Sequence, residues 1–569
     1  MAAPTPSSGK EWLNKTCRWL ALHPNWTLLL VVLAALAPFL AKPFNIDDPL
    51  FLWTARQIHA HPADPYGFKV NWYGTADPMW WVTENPPLAS YYLALAAGFL
   101  GWSEVSLHFA FLLPAVAAIL GTHRLARRFC NLPMLTALAT LFTPVFLVSG
   151  TTVMCDVLML AFWVWAAAFW LEGLEENRPG KLFAAGWLIA LAALTKYFGA
   201  CLIPLLVACS LIGKRRFRQW AAPLLIPLAA LCAYQWVSHA LYGHALLTKA
   251  TDYAEYAKGL FVFSGINSGL IALAFTGGCL AAAVIFAPLL WRRRMPAVFA
   301  GAAVLAIIAL LAGGMMPRHY DWFQGASRTL VELQVVFWAA GGIGVLALAI
   351  ADVFRRRDAG SWLLALWVFG TFLFTAFFNW TVNGRSLLPM APAVGILIAR
   401  RLEQNGLPNL NPFPRGAMLC LAASAALAFG VAQSDFLLAT ATRQSARLVC
   451  ANYKSTTGNL WFQGHWGFQY YMEQAGAWAL DAKHLRLRPG DTVALPMNNV
   501  AFPLNWKDLV LQGTFSVSGP RGFSTWNTPI GAGFYASSWG PLPFAVGRTR
   551  PEIVSVYVLE PAAPAPAKN

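Results

Sequence analysis

The chain has 569 residues, of which 58% are hydrophobic and only 12% are charged. A soluble globular protein carries about 25% charged residues, so this composition excludes an ordinary soluble fold and indicates a chain that uses lipid as its solvent. The formal net charge is +16. Because the positive residues stand in short clusters between apolar runs, they indicate the inner loops of a membrane protein and not a nucleic-acid-binding surface.

The first apolar run follows three basic residues, Lys10, Lys15 and Arg18. A basic start before an apolar stretch is also typical of a secretory signal peptide. Here no small-residue cleavage site follows, because the run ends in the letters KPFNIDD. We therefore expect a cytoplasmic N-terminus at 1–24 and an uncleaved first span at about 25–41.

One short apolar run, 88–100, decides the predicted topology. A helix needs about 20 residues to cross the bilayer, and this run is shorter. If it lies on the outer face as a juxtamembrane helix, within an outer loop at 42–104, every later basic cluster falls on the inner side, as the positive-inside rule requires. If it crosses, all of those clusters are misplaced. We therefore predict an all-α transmembrane bundle at 25–434 with about thirteen spans. The spans are expected near 25–41, 105–121, 132–149, 157–172, 182–195, 198–212, 220–241, 269–290, 297–313, 331–351, 362–378, 386–400 and 417–434.

From about residue 435 the composition changes, because charged, aromatic and turn residues mix with short strand-like runs. This pattern predicts a small soluble α/β domain at 435–560 on the non-cytoplasmic side. Its only cysteine is Cys450, so the domain cannot form an internal disulfide. The Pro/Ala-rich tail at 561–569 is expected to be disordered. Strands are expected at 492–495, 509–517 and 553–559, and a loop entering a helix at 463–476.

Charged and polar residues gather at the predicted outer ends of six separate segments. Such residues are costly near a bilayer and are candidates for function. Their common side predicts a catalytic or binding cavity at the outer membrane surface. The residues are Asp47 and Asp48, Glu84 and Asn85, Asp156, Lys196, Arg318 and His319, and Arg385.

Each of these positions also has a purely structural interpretation. The acid pair after the first span and Glu84 are also consistent with solvated loop acids. An Asp such as Asp156 can cap the helix that follows it. A lysine in an apolar hairpin, such as Lys196, can extend its ammonium to the interface, and Arg385 can anchor a helix end. The aromatic loop at 72–81 fits an interfacial belt as well as a sugar-binding platform.

The order of the motifs resembles the GT-C membrane glycosyltransferases, and among them the protein O-mannosyltransferase-like and lipid A aminoarabinose transferase group. The resemblance extends over most of residues 25–400. It implies transfer of a sugar from a polyprenyl-phosphate donor to a lipid, polysaccharide or protein acceptor, by a multi-pass protein of the bacterial inner membrane whose site faces the periplasm. The matching pieces are DDPLFLWTAR (47–56), ENPPLASYY (84–92), CDVLMLAFW (155–163), LTKYFGACLIP (194–204) and GRSLLPMAP (384–392).

The acidic positions of the family carry over residue by residue. Asp47 takes the first position of the family's acidic pair, which implies the role of catalytic base, and Asp48 takes the second position. Asp156 matches the second-loop acid that helps to form the site. Glu84 opens the motif that contains the two prolines and is expected to contact substrate.

The basic positions match the family less completely. Lys196 and Arg385 match positions suited to holding the phosphate of the lipid. Asn85 departs from the pattern, because a lysine or histidine often neighbours the proline of this motif. We expect Arg318 or His319 to supply the missing phosphate contact.

The chemistry implied by this set is acid–base transfer. An acceptor hydroxyl is a poor nucleophile at neutral pH, and a carboxylate can take its proton as the bond to the sugar forms. With one carboxylate and no covalent intermediate, the anomeric centre inverts. The departing phosphate needs positive charge, which Lys and Arg provide. Because the donor carries a single phosphate, we expect no metal and no cofactor.

Two other classes of function also fit a chain with many spans. A transporter or lipid flippase needs spans and intramembrane charges too, but tends to place its site near the midplane with repeat symmetry. Here the polar groups lie at helix ends, and no repeat is visible in the sequence. A non-catalytic assembly protein that acts through its C-terminal domain is the second alternative. Sugar transfer by purified protein without a gradient distinguishes an enzyme from a transporter, and loss of activity in Asp47→Asn with intact membrane expression distinguishes it from an assembly protein.

Overall fold

The fold is mostly helical, with one small sheet near the C-terminus. The structure is a computed structural model that describes residues 22–260, 265–313, 325–406, 415–453, 458–497, 499, 508–547 and 549–560. The helices in chain order are α1 (Pro24–Leu36), α2 (Asp48–Ala60), α3 (Met79–Val82), α4 (Leu88–Leu100), α5 (Glu104–Ala126), α6 (Pro133–Leu141), α7 (Pro144–Gly150), α8 (Cys155–Glu175), α9 (Pro179–Thr195), α10 (Leu202–Ile212), α11 (Phe217–Tyr242), α12 (Leu246–Leu260), α13 (Gly265–Cys279), α14 (Ala281–Ile285), α15 (Ala287–Trp291), α16 (Met295–Ala312), α17 (Gly325–Arg356), α18 (Ala359–Leu373), α19 (Gly384–Leu387), α20 (Ala391–Gln404), α21 (Arg415–Tyr453) and α22 (Trp466–Gln474).

Seven helices in the described part of the chain are long and apolar enough to cross a membrane, and an eighth crossing results if the bent pair α6 and α7 counts as one. A chain with this many apolar helices is an integral, multi-pass membrane protein. Several other predicted spans coincide with apolar helices of 10–17 residues, so the number of thirteen stays a prediction. The short run at 88–100 forms α4, a helix of 13 residues.

The predicted span at 132–149 is divided into two helices that meet at an angle of 64°. The break has a local cause. Thr143 has an extended backbone and caps α7, since its hydroxyl accepts a hydrogen bond from the backbone N–H of Phe146. Pro144 follows at the first helical position, where its missing N–H does no harm, and a residue before proline avoids the helical conformation. The chain therefore turns at residue 143.

The C-terminal part is built on a mixed five-stranded sheet. Its strands, in spatial order, are β4 (Trp478–Ala479), β3 (Leu460–Phe462), β5 (Thr492–Pro496), β11 (Glu552–Leu559) and β6 (Leu509–Val517). Strands β5 and β6 pair antiparallel with β11, whereas β3 pairs parallel with β4 and β5. The three strands expected from the sequence are found as β5, β6 and β11. The strands are β1 (Lys69–Asn71), β2 (Ala76–Pro78), β3 (Leu460–Phe462), β4 (Trp478–Ala479), β5 (Thr492–Pro496), β6 (Leu509–Val517), β7 (Gly522–Ser524), β8 (Trp526–Asn527), β9 (Ala532–Gly533), β10 (Ala545–Gly547) and β11 (Glu552–Leu559).

The long helix α21 joins the bundle to this sheet. It runs for 39 residues without a break, through residue 435, where the sequence predicted that a span ends and a soluble domain begins. The sheet itself begins only at Leu460. The division into a bundle at 25–434 and a domain at 435–560 stays a prediction, and the helix shows that the two parts are structurally continuous.

The C-terminal part packs directly on the bundle through polar contacts. Glu104, the first residue of α5, accepts hydrogen bonds from the hydroxyl of Tyr471 at 2.5 Å and from the guanidinium of Arg443 at 2.6 Å. A second contact is an ion pair of 2.5 Å between Lys42 and Asp435, whose side chains are only 2% and 3% exposed. These contacts hold the C-terminal part against the end of the bundle that bears Asp47.

Candidate active site

A cavity of about 480 Å³ lies where the bundle meets the C-terminal part. The bundle contributes the start of α2, the loop around residue 84 and one side of α12. The C-terminal part contributes an aromatic wall. Four of the residues predicted from the sequence line this cavity: Asp47, Glu84, Asn85 and Arg385.

The two acids of the pair have different environments. Asp47 lines the cavity, and one of its carboxylate oxygens accepts a hydrogen bond of 2.6 Å from Arg385. Asp48 is 1% exposed, and its two oxygens accept hydrogen bonds of 3.0 Å from the backbone N–H groups of Asn45 and Val153. Burial raises the pKa of the Asp48 carboxyl to about 7. Asp48 thus joins the start of α2 to the loop before α8, and Asp47 is the acid that faces the cavity.

Asp156 lies just behind the cavity wall, in the first turn of α8, and is fully buried. One of its oxygens accepts a hydrogen bond of 2.6 Å from the ammonium of Lys196, and the other lies 3.9 Å from the guanidinium of Arg385. Its side chain makes no capping hydrogen bond, because the N-cap position of α8 is Met154. Asp47, Arg385, Asp156 and Lys196 therefore form one chain of alternating charges.

Arg385 is held in place by tight backbone packing. It lies in α19, whose start is capped by the side chain of Asn383. The preceding Gly384 donates its backbone N–H to the carbonyl of Phe534, at 2.7 Å. A methyl group on Gly384 would lie 2.5 Å from the Phe534 ring, so only glycine fits there. The guanidinium lies 5.6 Å from the ring centre of Tyr535, and its Nε atom is buried without a hydrogen-bond partner in the described residues.

Glu84 forms an ion pair that the sequence did not predict. Its Oε1 atom accepts a hydrogen bond of 2.7 Å from Lys249 on α12, while its Oε2 atom is buried and has no partner among the described residues. Burial raises the pKa of Glu84 to about 7, although the charge of Lys249 opposes this shift. Asn85 accepts a contact of 3.6 Å from the thiol of Cys155. A basic side chain thus lies beside the motif where Asn85 departs from the family pattern.

Arg318 and His319, the residues expected to supply that charge, lie outside the described residues. The sequence contained a signal for Lys249, because α12 combines Lys, Asp, Glu and Tyr between two apolar runs. That signal alone does not identify the partner of the lysine. In the described part of the chain, no group of three or more His, Cys, Asp or Glu side chains is placed to hold a metal ion.

The aromatic wall of the cavity was missed by the sequence analysis. It consists of side chains from the C-terminal part of the chain that lie far apart in sequence. The aromatic loop at 72–81 is divided: Trp72 lines the cavity, whereas Trp80 stacks on His244 at a distance of 4.7 Å between ring centres. The wall residues are His465, Trp466, Trp526, Tyr535 and Trp539.

Several solved structures are similar to this chain at low sequence identity, among them the following three. The oligosaccharyltransferase of Archaeoglobus fulgidus, tethered to an acceptor peptide, is 13% identical with a TM-score of 0.49, and the match covers 82% of this chain and 64% of that protein. ArnT from Cupriavidus metallidurans, bound to undecaprenyl phosphate, is 13% identical with a TM-score of 0.43 and coverage of 94% and 98%. The arabinofuranosyltransferase AftD from mycobacteria is 12% identical with a TM-score of 0.43 and coverage of 96% and 40%.

No protein in the curated set matches the sequence. Residues 84–242 do match the model of the dolichyl-phosphate-mannose-protein mannosyltransferase family. The matched segment contains three of the five motifs that carry the resemblance, those at 84–92, 155–163 and 194–204. This match confirms the resemblance of the chain to the GT-C membrane glycosyltransferases.

Proposed function

We propose that this protein is a membrane glycosyltransferase that moves a sugar from a polyprenyl-phosphate donor to a lipid, glycan or protein acceptor. The observation that carries the proposal is the contact between Asp47 and Arg385 at the cavity surface, 2.6 Å apart. A carboxylate and a guanidinium at one point are the two groups that the reaction needs, a base for the acceptor and a cation for the phosphate. The family match over 84–242 supports the same class of reaction.

In the proposed mechanism the donor phosphate binds Arg385 and competes with Asp47 for the guanidinium. Arginine binds phosphate oxygens through two parallel N–H groups, so the exchange replaces one charge-assisted contact by another. The buried Nε of Arg385 has no hydrogen-bond partner in the described residues, so the guanidinium is not fully satisfied by its protein contacts. Binding of the donor therefore frees the Asp47 carboxylate to accept a proton.

Asp47 then acts as the general base. It takes the proton of an acceptor hydroxyl while the oxygen attacks the anomeric carbon from the side opposite the phosphate. The bond between that carbon and the phosphate oxygen breaks, and its electron pair leaves with the polyprenyl phosphate. A single displacement of this kind inverts the anomeric configuration. The positive charge of Arg385 stabilises the phosphate as negative charge develops on it.

Asp156 and Lys196 support the reaction through Arg385. Asp156 lies 3.9 Å from Nη1 of the guanidinium, whereas Asp47 contacts Nη2, and Lys196 neutralises the Asp156 charge at 2.6 Å. Without Lys196, the buried Asp156 carboxylate would attract Arg385 more strongly and draw it from the phosphate. We propose that both residues act as positioning residues and that Asp48 and Asn85 help to shape the wall of the site.

The orientation of the molecule follows from the distribution of charge in the proposed topology. The basic clusters lie at the helix ends away from Asp47 in the predicted order of spans, which favours a cavity on the outer, periplasmic side of a bacterial inner membrane. Under this proposal the acceptor approaches from the outer surface and the lipid chain of the donor extends into the bilayer.

The direct test is incubation of the purified protein, in detergent, with a panel of polyprenyl-phosphate sugars and a mixture of lipid, glycan and peptide acceptors. Release of polyprenyl phosphate, followed by chromatography, is the expected result with at least one donor. Release without a membrane gradient separates an enzyme from a transporter. Absence of release with every donor would contradict the proposal.

The role of Arg385 predicts that Arg385→Gln weakens binding of sugar-free polyprenyl phosphate about 10- to 100-fold, since hydrogen bonds to charged groups contribute about 1.5–3 kcal/mol. Direct binding measurements in detergent check this. The matched control is Arg56→Gln, because Arg56 is an exposed arginine on α2 that does not line the cavity. Equal affinity of the Arg385 variant and the wild type would refute the phosphate assignment.

The environment of Glu84 predicts a pH effect on donor binding. Its pKa of about 7 means that the carboxyl is largely neutral at about pH 6 and charged at about pH 8. A charged Glu84 repels the anionic donor and keeps Lys249 in its ion pair. The affinity for a sugar-linked donor should therefore fall about two- to tenfold as the pH rises through this range. Glu84→Gln should remove the dependence. An unchanged pH profile in the variant would exclude Glu84 as its origin.

A further inference from the structure

We infer that Trp466, Trp526 and Trp539 form the subsite that holds the sugar ring of the donor, and that the C-terminal part of the chain therefore sets which sugar is accepted. This inference rests on the proposed function and deepens it. Sugar recognition is assigned to a wall that lies outside the matched segment 84–242, whereas phosphate recognition belongs to the bundle.

The three indole rings form a compact cluster at the cavity surface. The ring centres of Trp466 and Trp526 are 4.7 Å apart, those of Trp526 and Trp539 are 5.1 Å apart, and those of Trp466 and Trp539 are 5.9 Å apart. Among the described residues, these three indole N–H groups form no hydrogen bond, and their nitrogen atoms are not fully buried, so they can be reached from the cavity that the rings line. An indole N–H that meets a ligand favours a hydrogen-bond partner. A sugar offers both an apolar C–H face for the rings and hydroxyl oxygens for the N–H groups.

His465 adds a polar group to the same wall. Its ring lies between those of Trp72, at 5.5 Å, and Trp466, at 4.5 Å. Its Nδ1 atom is buried and has no partner in the described part of the chain. Burial lowers the pKa of His465 to about 4, so the imidazole is neutral near pH 7 and can both donate and accept a hydrogen bond. A sugar hydroxyl would satisfy it without introducing charge.

The backbone at Trp466 is strained. Its φ angle is +63°, a region that bulky residues with a Cβ rarely adopt. Hydrogen bonds to the residues before and after Trp466 hold this conformation. The N–H of Gly467 donates to the side-chain oxygen of Asn45. The side chain of Asn499 accepts from the N–H of His465 and donates to the carbonyl of His465. Strain of this kind costs about 1–3 kcal/mol and tends to collect at ligand sites. Here it turns the indole toward the cavity.

Tyr535 connects the wall to the proposed phosphate position. Its ring centre lies 5.6 Å from the guanidinium of Arg385 and 6.5 Å from the ring centre of Trp526. In the donor the sugar is attached directly to the phosphate. A phosphate bound at Arg385 therefore places its sugar against Tyr535 and Trp526, with Asp47 close to the anomeric carbon.

The test compares two ligands that differ only in the sugar. Wild-type protein and the variants Trp526→Leu and Trp539→Leu are titrated with undecaprenyl phosphate and with undecaprenyl-phosphate sugars of the panel, by direct binding in detergent. We expect affinity for the sugar-free lipid to stay within about twofold and affinity for the sugar-linked lipid to fall about three- to tenfold. Trp526→Phe retains an aromatic face and should lose less than Trp526→Leu.

The matched control is Trp478→Leu, because Trp478 belongs to the same C-terminal part of the chain, is 60% exposed and does not line the cavity. If the cavity variants bind both lipids as the wild type does, or lose both equally, the sugar subsite is refuted while the proposed function stands. If the wild type binds neither lipid, the proposed function itself fails. Unfolding temperatures of the Leu and Phe variants show whether a loss of binding reflects a loss of fold.

Discussion

Replacement of Asp47 by Asn is expected to lower the rate of sugar transfer about 10²- to 10⁴-fold, the usual contribution of a general base. The amide keeps the shape of the side chain but cannot take the proton of the acceptor hydroxyl. Donor binding should be retained or become tighter, because Arg385 loses its 2.6 Å ion pair with the carboxylate and is freed for the phosphate. The measurements are the initial rate of polyprenyl phosphate release and the affinity for the donor.

The control for this variant is Asp77→Asn. Asp77 is an acid of strand β2 that pairs with the exposed Lys483 and does not line the cavity. Its replacement should leave the rate within about twofold, as expected of an exposed ion pair. Normal turnover of the Asp47 variant would refute the base assignment. A parallel loss of donor binding would instead point to a structural role for this carboxylate.

Replacement of Lys42 by Met is expected to lower the free energy of unfolding by about 3–5 kcal/mol, the effect of removing one partner of a buried ion pair. Lys42 and Asp435 are almost completely buried, and their charged atoms are 2.5 Å apart. Asp435 also accepts hydrogen bonds of 2.6 Å from Thr525 and 2.8 Å from Tyr535. The variant leaves a buried carboxylate without its cation, although the two hydroxyl groups remain.

The double variant Lys42→Met with Asp435→Asn separates charge from packing. An amide at 435 can accept the hydrogen bond of one hydroxyl group through its oxygen and donate to the oxygen of the other through its NH2, and it leaves no buried charge, so we expect it to recover at least half of the lost stability. Denaturant unfolding in detergent, followed by tryptophan fluorescence, measures the difference. If the single variant unfolds at the same denaturant concentration as the wild type, the buried pair contributes no net stability.

The parts of the fold that were predicted from the sequence depend on local pattern. The surface-helix candidate at 88–100 is a helix because an apolar run between Pro87 and Gly101 has few other conformations available. The strands at 492–495, 509–517 and 553–559 have the alternation and β-branched residues of a sheet. The sequence also predicted that Asp47, Arg385, Asp156 and Lys196 lie close together. This prediction needs only the order and direction of the predicted spans, which place these four helix ends on the same side of the membrane.

The remaining features depend on contacts between distant segments. The sequence predicts a span at 417–434 but not that its helix continues to Tyr453, with Asp435 in contact with Lys42. The pairing of Glu84 with Lys249 and the cluster of tryptophans have no signature in spacing. Asp47 and Asp48 are adjacent and have the same side chain, so the sequence does not show which of them faces the cavity. The difference arises from the loop before α8, where the backbone N–H of Val153 binds the buried Asp48.

The contacts between the sheet-bearing part and the bundle have a practical consequence for dissection of the chain. Polar groups on each part have their hydrogen-bond or ion-pair partners on the other part. The pairs are Glu104 with Tyr471 and Arg443, Lys42 with Asp435, and Gly384 with Phe534. A fragment that contains the C-terminal part without the bundle would expose apolar indole rings and unpaired charges to water. We therefore expect that exchange of the C-terminal part between related proteins requires the residues on both sides of these contacts to be transplanted together.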